Sequence, residues 1–264
     1  MPPERIAITK TLPQFAATSG HTYLRADCRD DLIRIYNEKC ACYLLAPEER
    51  AKLSPARKLR ILVRHGETDW NIENRIQGHE NNPMNERGLM QASHCGDRFA
   101  EVVTLTGLSF SKVHASPLDR ARVTCQIILD KCGFDQEIIT NPKLIERDFG
   151  SYSGLTQEER LIKANGRDLD EIDEVESTFH AGTRLAEAVH ETCSEDGSIL
   201  MVLHGGIINS MMKYVSDHQI GAGVTFTTNC CINVFSVDED GTLLLEAFNL
   251  TPDDYPRWIR NELI

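Results

Sequence analysis

Ile61-Leu62-Val63-Arg64-His65-Gly66-Glu67-Thr68, followed by Trp70-Asn71, decides how the rest of the chain is read. The apolar triplet has the character of a buried strand. The Arg-His-Gly behind it stands at the carboxyl end, the edge at which α/β sheets bind ligands. An arginine beside a histidine sets a fixed cation and a donor fork next to a nitrogen nucleophile, and Gly66 is expected to let an anion approach the backbone closely. A phosphate group suits that chemistry.

Outward from this strand, which spans Leu59 to Val63, the segments alternate regularly, pointing to an α/β sandwich with helices on both faces of a sheet. A loop to Gly88 and a helix over about Asn85 to Val103 come next. Lys112 to Ala115 is a short strand, Ser116-Pro117-Leu118 leads into a helix through Leu129, and Ile138-Ile139 forms a brief strand. Leu144 to Gly154 reads as a turn-rich loop and Val175 to Cys193 as a helix. Ser198 to Leu203 is a strongly apolar strand, with Gly205-Gly206 opening the helix behind it. Asn233 to Val237 and Thr242 to Phe248 are expected to pair antiparallel around Asp240-Gly241. Residues 1–57 do not fit this alternation. Prolines punctuate them, and the apolar positions between Asp30 and Leu45 have amphipathic helical spacing, so an N-terminal helical extension packed on a main domain over 58–264 is expected.

Composition narrows the function. Of 264 residues, 41% are hydrophobic and 26% charged, as in ordinary globular proteins, and no apolar run approaches the ~20 residues a membrane span requires. A net charge of -12 argues against a nucleic-acid partner and requires any phosphate site to be locally basic. The nine cysteines are odd in number and scattered, which suits reduced thiols, and the absence of a leader-like start leads to an expected cytoplasmic location.

Three further segments carry chemistry. In Ser116-Pro117-Leu118-x-Arg120, Pro117 is expected in the first turn of a helix from whose start Arg120 projects, a place that favours anions. Glu146 lies in Leu144-Ile145-Glu146-Arg147-Asp148-Phe149-Gly150, where burial favours a protonated carboxyl able to protonate a leaving oxygen and later activate water. Leu203-His204-Gly205-Gly206 repeats the strand-end His-Gly of His65-Gly66, so that if the two strands are neighbours both imidazoles meet over one anion. Asn71 and the loop from Gln77-Gly78 to Gly88 are expected to add amide donors.

In order and spacing these pieces resemble the histidine phosphatase superfamily, the group that also contains the bisphosphoglycerate-dependent phosphoglycerate mutases, over roughly residues 58–250. The resemblance implies a three-layer α/β/α sandwich, phosphoglycerate mutase-like, with no metal and no cofactor. Matched position by position, it makes His65 the nucleophile, Glu146 the acid/base, and Arg64, Asn71, Arg120 and His204 the phosphate pocket, with His204 counted among the catalytic groups. It implies a small phosphorylated substrate, a phosphohistidine on His65, and release of inorganic phosphate by water, with Arg64, Arg120, the helix ends and His204 supplying the positive charge.

Two departures from the mutases of that family favour hydrolysis. The gap between Glu146 and His204 is short, with only Arg147, Arg160, Lys163, Arg167 and Arg184 basic and Asp168 to Glu176 acidic; and Gly206 stands where the mutases usually carry Asn. The alternatives are a phosphoglycerate mutase and a catalytically silent phospholigand-binding protein, which would need neither nucleophile nor acid. Residues about 150–180 are expected to form a mobile lid whose acidity disfavours highly anionic ligands. Neither nucleic acid nor membrane is an expected partner, and a homodimer is left open.

Overall fold

The computed structural model describes residues 43–44, 58–216, 218, 220–237, 241 and 243–260. Seven strands form one mixed sheet: β1 (Tyr43–Leu44), β2 (Lys58–Arg64), β3 (Phe110–Ala115), β4 (Ile138–Thr140), β5 (Ser198–Leu203), β6 (Ile232–Val237) and β7 (Leu243–Leu250), in the order β1-β7-β6-β2-β5-β3-β4. The block β2-β5-β3-β4 is parallel, and β6, β7 and β1 continue it antiparallel. Around it run α1 (Asp69–Ile72), α2 (Glu86–Thr106), α3 (Asp119–Cys132), α4 (Gln157–Ala164), α5 (Thr178–His190), α6 (Gly205–Val215) and α7 (Asp254–Ile259), with short 3-10 turns at Pro142–Leu144, Gly150–Tyr152 and Leu169–Glu171.

The apolar runs in β2 and β5 are continuous because both faces of these central strands are covered. Alternate residues serve opposite cores. Leu62, Ile199, Met201 and Leu203 pack with α5 and α6 through Leu185, Ile207, Ile208 and Met211. Ile61, Val63, Leu200 and Val202 pack with α2, α3 and α7 through Phe99, Ile128, Leu129 and Tyr255. The result is the expected α/β/α sandwich. The chain leaves β2 toward the face of α2 and leaves β5 toward the face of α6, so a crevice opens at their carboxyl ends, where such sheets take ligands.

Local details depart from expectation in informative ways. Of the helix expected over Asp30 to Leu45, only Tyr43 and Leu44 are described, and these two are extended, pairing with Phe248 and Ala247 of β7; the rest lies outside the described residues. Helix α3 begins at Asp119 with Leu118 as its N-cap, so Pro117 precedes the helix rather than occupying its first turn. The segment 150–176 is more built than a loop: Tyr152, Ala164, Ile172 and Val175 form a small core of their own, with Phe149, Leu155 and Leu169 packed on it. Among the described residues the six cysteines are unpaired, and no helix is long and apolar enough to cross a membrane.

Candidate active site

Parallel pairing of β2 with β5 brings Arg64 opposite Leu203, so the next residue of each strand, His65 and His204, emerges at the same height. The His65 amide donates to the Leu203 carbonyl at 3.0 Å, and the imidazole centroids are 5.1 Å apart. On the far side of β5, Ala115 of β3 pairs with Val202, and the Ser116 amide donates to the Val202 carbonyl at 3.0 Å. Three neighbouring strand ends thus deliver His65, His204 and Ser116 side by side.

The partners of each ring fix its tautomer. His65 Nδ1 lies 2.7 Å from the Gly66 carbonyl, which only accepts, so Nδ1 carries the proton and Nε2 keeps its lone pair. Burial, then the charges of Arg120 and Arg64, hold His65 well below the ordinary histidine pKa, so the ring is neutral. His204 is differently employed: Arg120 Nε donates to its Nδ1 at 3.2 Å, and its Nε2 donates to Ser116 Oγ at 2.7 Å. With both nitrogens engaged and no exposed surface, His204 stands behind the cleft. In this arrangement its ring holds Arg120, supported from behind by Ser116.

Arg120 is clamped. Besides His204, it donates to the Glu80 carbonyl at 2.5 Å and the Gly78 carbonyl at 3.0 Å, so the loop expected to donate amides to an anion instead orients the guanidinium with its carbonyls. Burial lowers the Arg120 pKa to about 10, which leaves the group fully cationic at neutral pH. Arg64 is tied to the Thr227 carbonyl at 2.6 Å. The Asn71 carbonyl oxygen accepts from the Thr68 amide at 3.1 Å and from Asn229 Nδ2 at 3.3 Å, which turns the Asn71 amide donors away from both bonds and makes them available to an anion. Asn229 also donates to the His65 carbonyl at 3.1 Å. Thr227 and Asn229 come from the turn before β6, which carries no motif, and only the nonlocal fold reveals them.

Glu146 accepts three backbone amides: Arg147 at 2.8 Å and Ile207 at 2.7 Å on Oε1, and Gly206 at 2.9 Å on Oε2. The first turn of α6 is therefore spent on this carboxyl, not on the phosphate, in contrast to the expectation that helix ends address the phosphate. About one of the four lone-pair positions stays open for a proton or a reacting group. Gly206 has its own reason here, since a Cβ would stand 2.7 Å from Glu146 Oε1. Gly66 is likewise required by packing rather than by anion approach: a Cβ there would meet the Gly88 carbonyl oxygen at 2.4 Å. Arg184 supports the Glu146 loop, donating to the carbonyls of Lys143 and Ile145, each at 2.9 Å, while paired with Glu176.

These groups border a cleft of about 400 Å³ lined by Arg64, His65, Asn71, Arg120 and Glu146, with Arg75, Arg147 and Arg160 farther along it. Five arginines and one carboxylate face a cavity in a chain of net charge -12, the local basicity that the sequence demanded. No acidic side chain of the run 168–176 lines the cleft, to which that run contributes only Leu169. Its members face other groups instead, Asp170 pairing with Arg147 and Glu176 with Arg184, so the lid's acidity does not reach the ligand space.

The buried imidazoles tie stability to pH. His65 and His204 are both held well below their ordinary pKa, burial being the largest cause and Arg120 the next, and burial lowers His114 as well. Below pH 6.5 the unfolded chain binds protons that the folded chain refuses, so stability is complete near pH 7 and is lost as pH falls through 6.5 toward the folded values. Urea unfolding between pH 7 and 5 should show a loss on the order of 1–3 kcal/mol per pH unit, with His65→Ala flattening that slope by one proton's share. An unchanged slope in the variant contradicts the assignment.

The chain matches the model of the histidine phosphatase superfamily (branch 1) over residues 60–250. It is 32% identical over 186 residues to phosphoglycerate mutase-like protein 4 of Arabidopsis thaliana, covering 66% of this chain and 77% of that protein. Among solved structures, Bacillus stearothermophilus YhfR superposes with a TM-score of 0.64 at 24% identity, over 73% of this chain and 97% of that one. The vanadate-complexed mycobacterial glucosyl-3-phosphoglycerate phosphatase does so with a TM-score of 0.62 at 21% identity, over 73% and 99%. The two structural likenesses are likenesses of fold. Taken with the paired strand-end histidines, the match over residues 60–250 makes this chain a member of the histidine phosphatase superfamily.

Proposed function

We propose that the protein is a phosphomonoesterase that hydrolyses a small phosphorylated metabolite through a phosphohistidine, without a metal. The observation that carries this reading is the His65 ring: neutral, with its proton directed to the Gly66 carbonyl, and set between Arg64 and Arg120. In the first step the Nε2 lone pair of His65 forms the N–P bond. The P–O bond to the alcohol breaks, and a proton from Glu146 goes to the leaving oxygen. In the second, water gives its proton to Glu146 and attacks phosphorus. The N–P bond breaks, phosphate leaves, and His65 is restored. Arg64, Arg120 and the Asn71 amide offset the charge on the equatorial oxygens, the part that Mg²⁺ plays in other phosphoryl-transfer sites.

The decisive experiment is quench trapping of the enzyme with ³²P-labelled substrate in the presence of chelator. The expected result is protein-bound label that is acid-labile and base-stable and is absent from His65→Ala. Turnover without such label overturns the reading. A second reading, phosphoglycerate mutase activity, is favoured by the Arabidopsis relative's name. Adding 3-phosphoglycerate with a bisphosphoglycerate primer separates the two: phosphate release supports hydrolysis, and isomerisation to 2-phosphoglycerate supports the mutase.

A further inference from the structure

The five arginines of the cleft are not equivalent. Arg64 and Arg120 flank His65, where a phosphoryl dianion would take up their two charges. Farther along, Arg75 is paired with Glu73 at 2.6 Å, and Arg147 with Asp170 at 2.7 Å. Arg160 is left over. It is half-buried on α4, lines the cleft, and has no carboxylate within ion-pair distance among the described residues. The one hydrogen bond of its side chain among them runs from Nε to the Thr156 carbonyl, at 3.3 Å at the start of its own helix. Burial alone perturbs it, with no acidic neighbour offsetting that cost, although Glu158 and Glu159 adjoin it in sequence.

A desolvated guanidinium facing a ligand space without a counter-charge is costly unless the ligand supplies one. With Glu146 carrying the proton that the first step requires, the charge count leaves one positive charge after the phosphoryl group is bound, which matches a monoanion rather than a second phosphate. The geometry points to Arg160 as a specificity-determining residue that pairs with a singly charged anionic group, a carboxylate, on the leaving-alcohol side of the substrate. This rests on the phosphomonoester reading above. The expected bias against highly anionic ligands then rests on this single unpaired cation rather than on the lid's acids, which are turned to other groups.

Binding is the readout that does not depend on turnover. Non-hydrolysable phosphonates of increasing length, 3-phosphonopropionate, 4-phosphonobutyrate and 5-phosphonovalerate, are titrated calorimetrically into the full chain against their primary amides, which differ only in charge at the far end. One length should bind about 10–100-fold more tightly as acid than as amide, the range for a hydrogen bond to a charged group. Arg160→Met should bring acid and amide within about 3-fold of each other, while Arg160→Lys retains part of the preference, separating charge from alkyl packing. Equal binding of acids and amides to the parent chain, or a preference that survives in Arg160→Met, overturns the inference. If no phosphonate of either kind binds, both the inference and the phosphomonoester reading fall; if all bind equally, only the inference does.

Discussion

His65→Ala should turn over an aryl phosphate on the order of 10⁴–10⁶-fold more slowly than the parent enzyme, the scale seen when a covalent nucleophile is removed. The neighbouring imidazole cannot take its place: His204 has both ring nitrogens engaged, with Arg120 and Ser116. The fold should survive, because the contribution of position 65 to the sheet is made by its backbone, through the amide bond to Leu203 and the carbonyl that receives Asn229. Inorganic phosphate or vanadate should still bind, since Arg64, Asn71 and Arg120 are retained. A phospholigand-binding protein without turnover would show no difference between the two forms. Residual turnover within about 10-fold of the parent would remove His65 as the nucleophile.

Glu146→Gln carries the second large effect, and the geometry defines how to read it. A carboxyl that donates a proton to the leaving oxygen contributes on the order of 10²–10⁴-fold, and does so chiefly when the alcohol is a poor leaving group. Alkyl phosphates should therefore slow by that factor, and p-nitrophenyl phosphate, whose anion leaves unaided, by far less. The substitution is not silent structurally. Oε2 receives the Gly206 amide while Oε1 receives two others, so a glutamine that keeps Oε1 in place sets its amide group against the Gly206 N–H. That mismatch costs about 1–3 kcal/mol. It lowers all substrates together, whereas loss of the proton donor spreads them apart. The ratio of alkyl to aryl rates is thus the measurement, and an unchanged ratio excludes Glu146 as the acid.

The central elements were legible because their signals are local. Ile61-Leu62-Val63 and Ser198 to Leu203 announce strands covered on both faces, and Asn85 announces the start of α2, where its side chain caps the Gly88 amide at 2.8 Å. Helix α4 had an equally local signature that polarity obscured. Thr156-Gln157-Glu158-Glu159 is a capping box, with the Glu159 carboxylate returning to the Thr156 amide at 2.7 Å. It lay within a stretch whose glycines and acids suggested only a loop. What could not be read locally is how each group is employed. That His204 holds Arg120, that the 77–88 loop offers carbonyls rather than amides, and that α6 spends its first turn on Glu146 all depend on pairings 40 or more residues apart in sequence. Arg160 gave no sign of its isolation, since sequence shows acidic neighbours and only the fold shows where they point.

The register of β2 against β5 has a consequence for how such a molecule can diversify. Nucleophile and backing imidazole hang from two interior ribbons cross-linked at every step from Arg60 to Arg64, so neither can drift relative to the other without shearing the middle of the sheet. Most of the other residues that line the cleft belong to 75–78, 147–169 and 205–227, outside that cross-linked pair. Exchanges there, at positions that do not hold Arg64, Arg120 or Glu146, can alter which molecule is admitted while the bond-breaking apparatus keeps its dimensions, an anatomy that lets one chemistry be inherited across many diets.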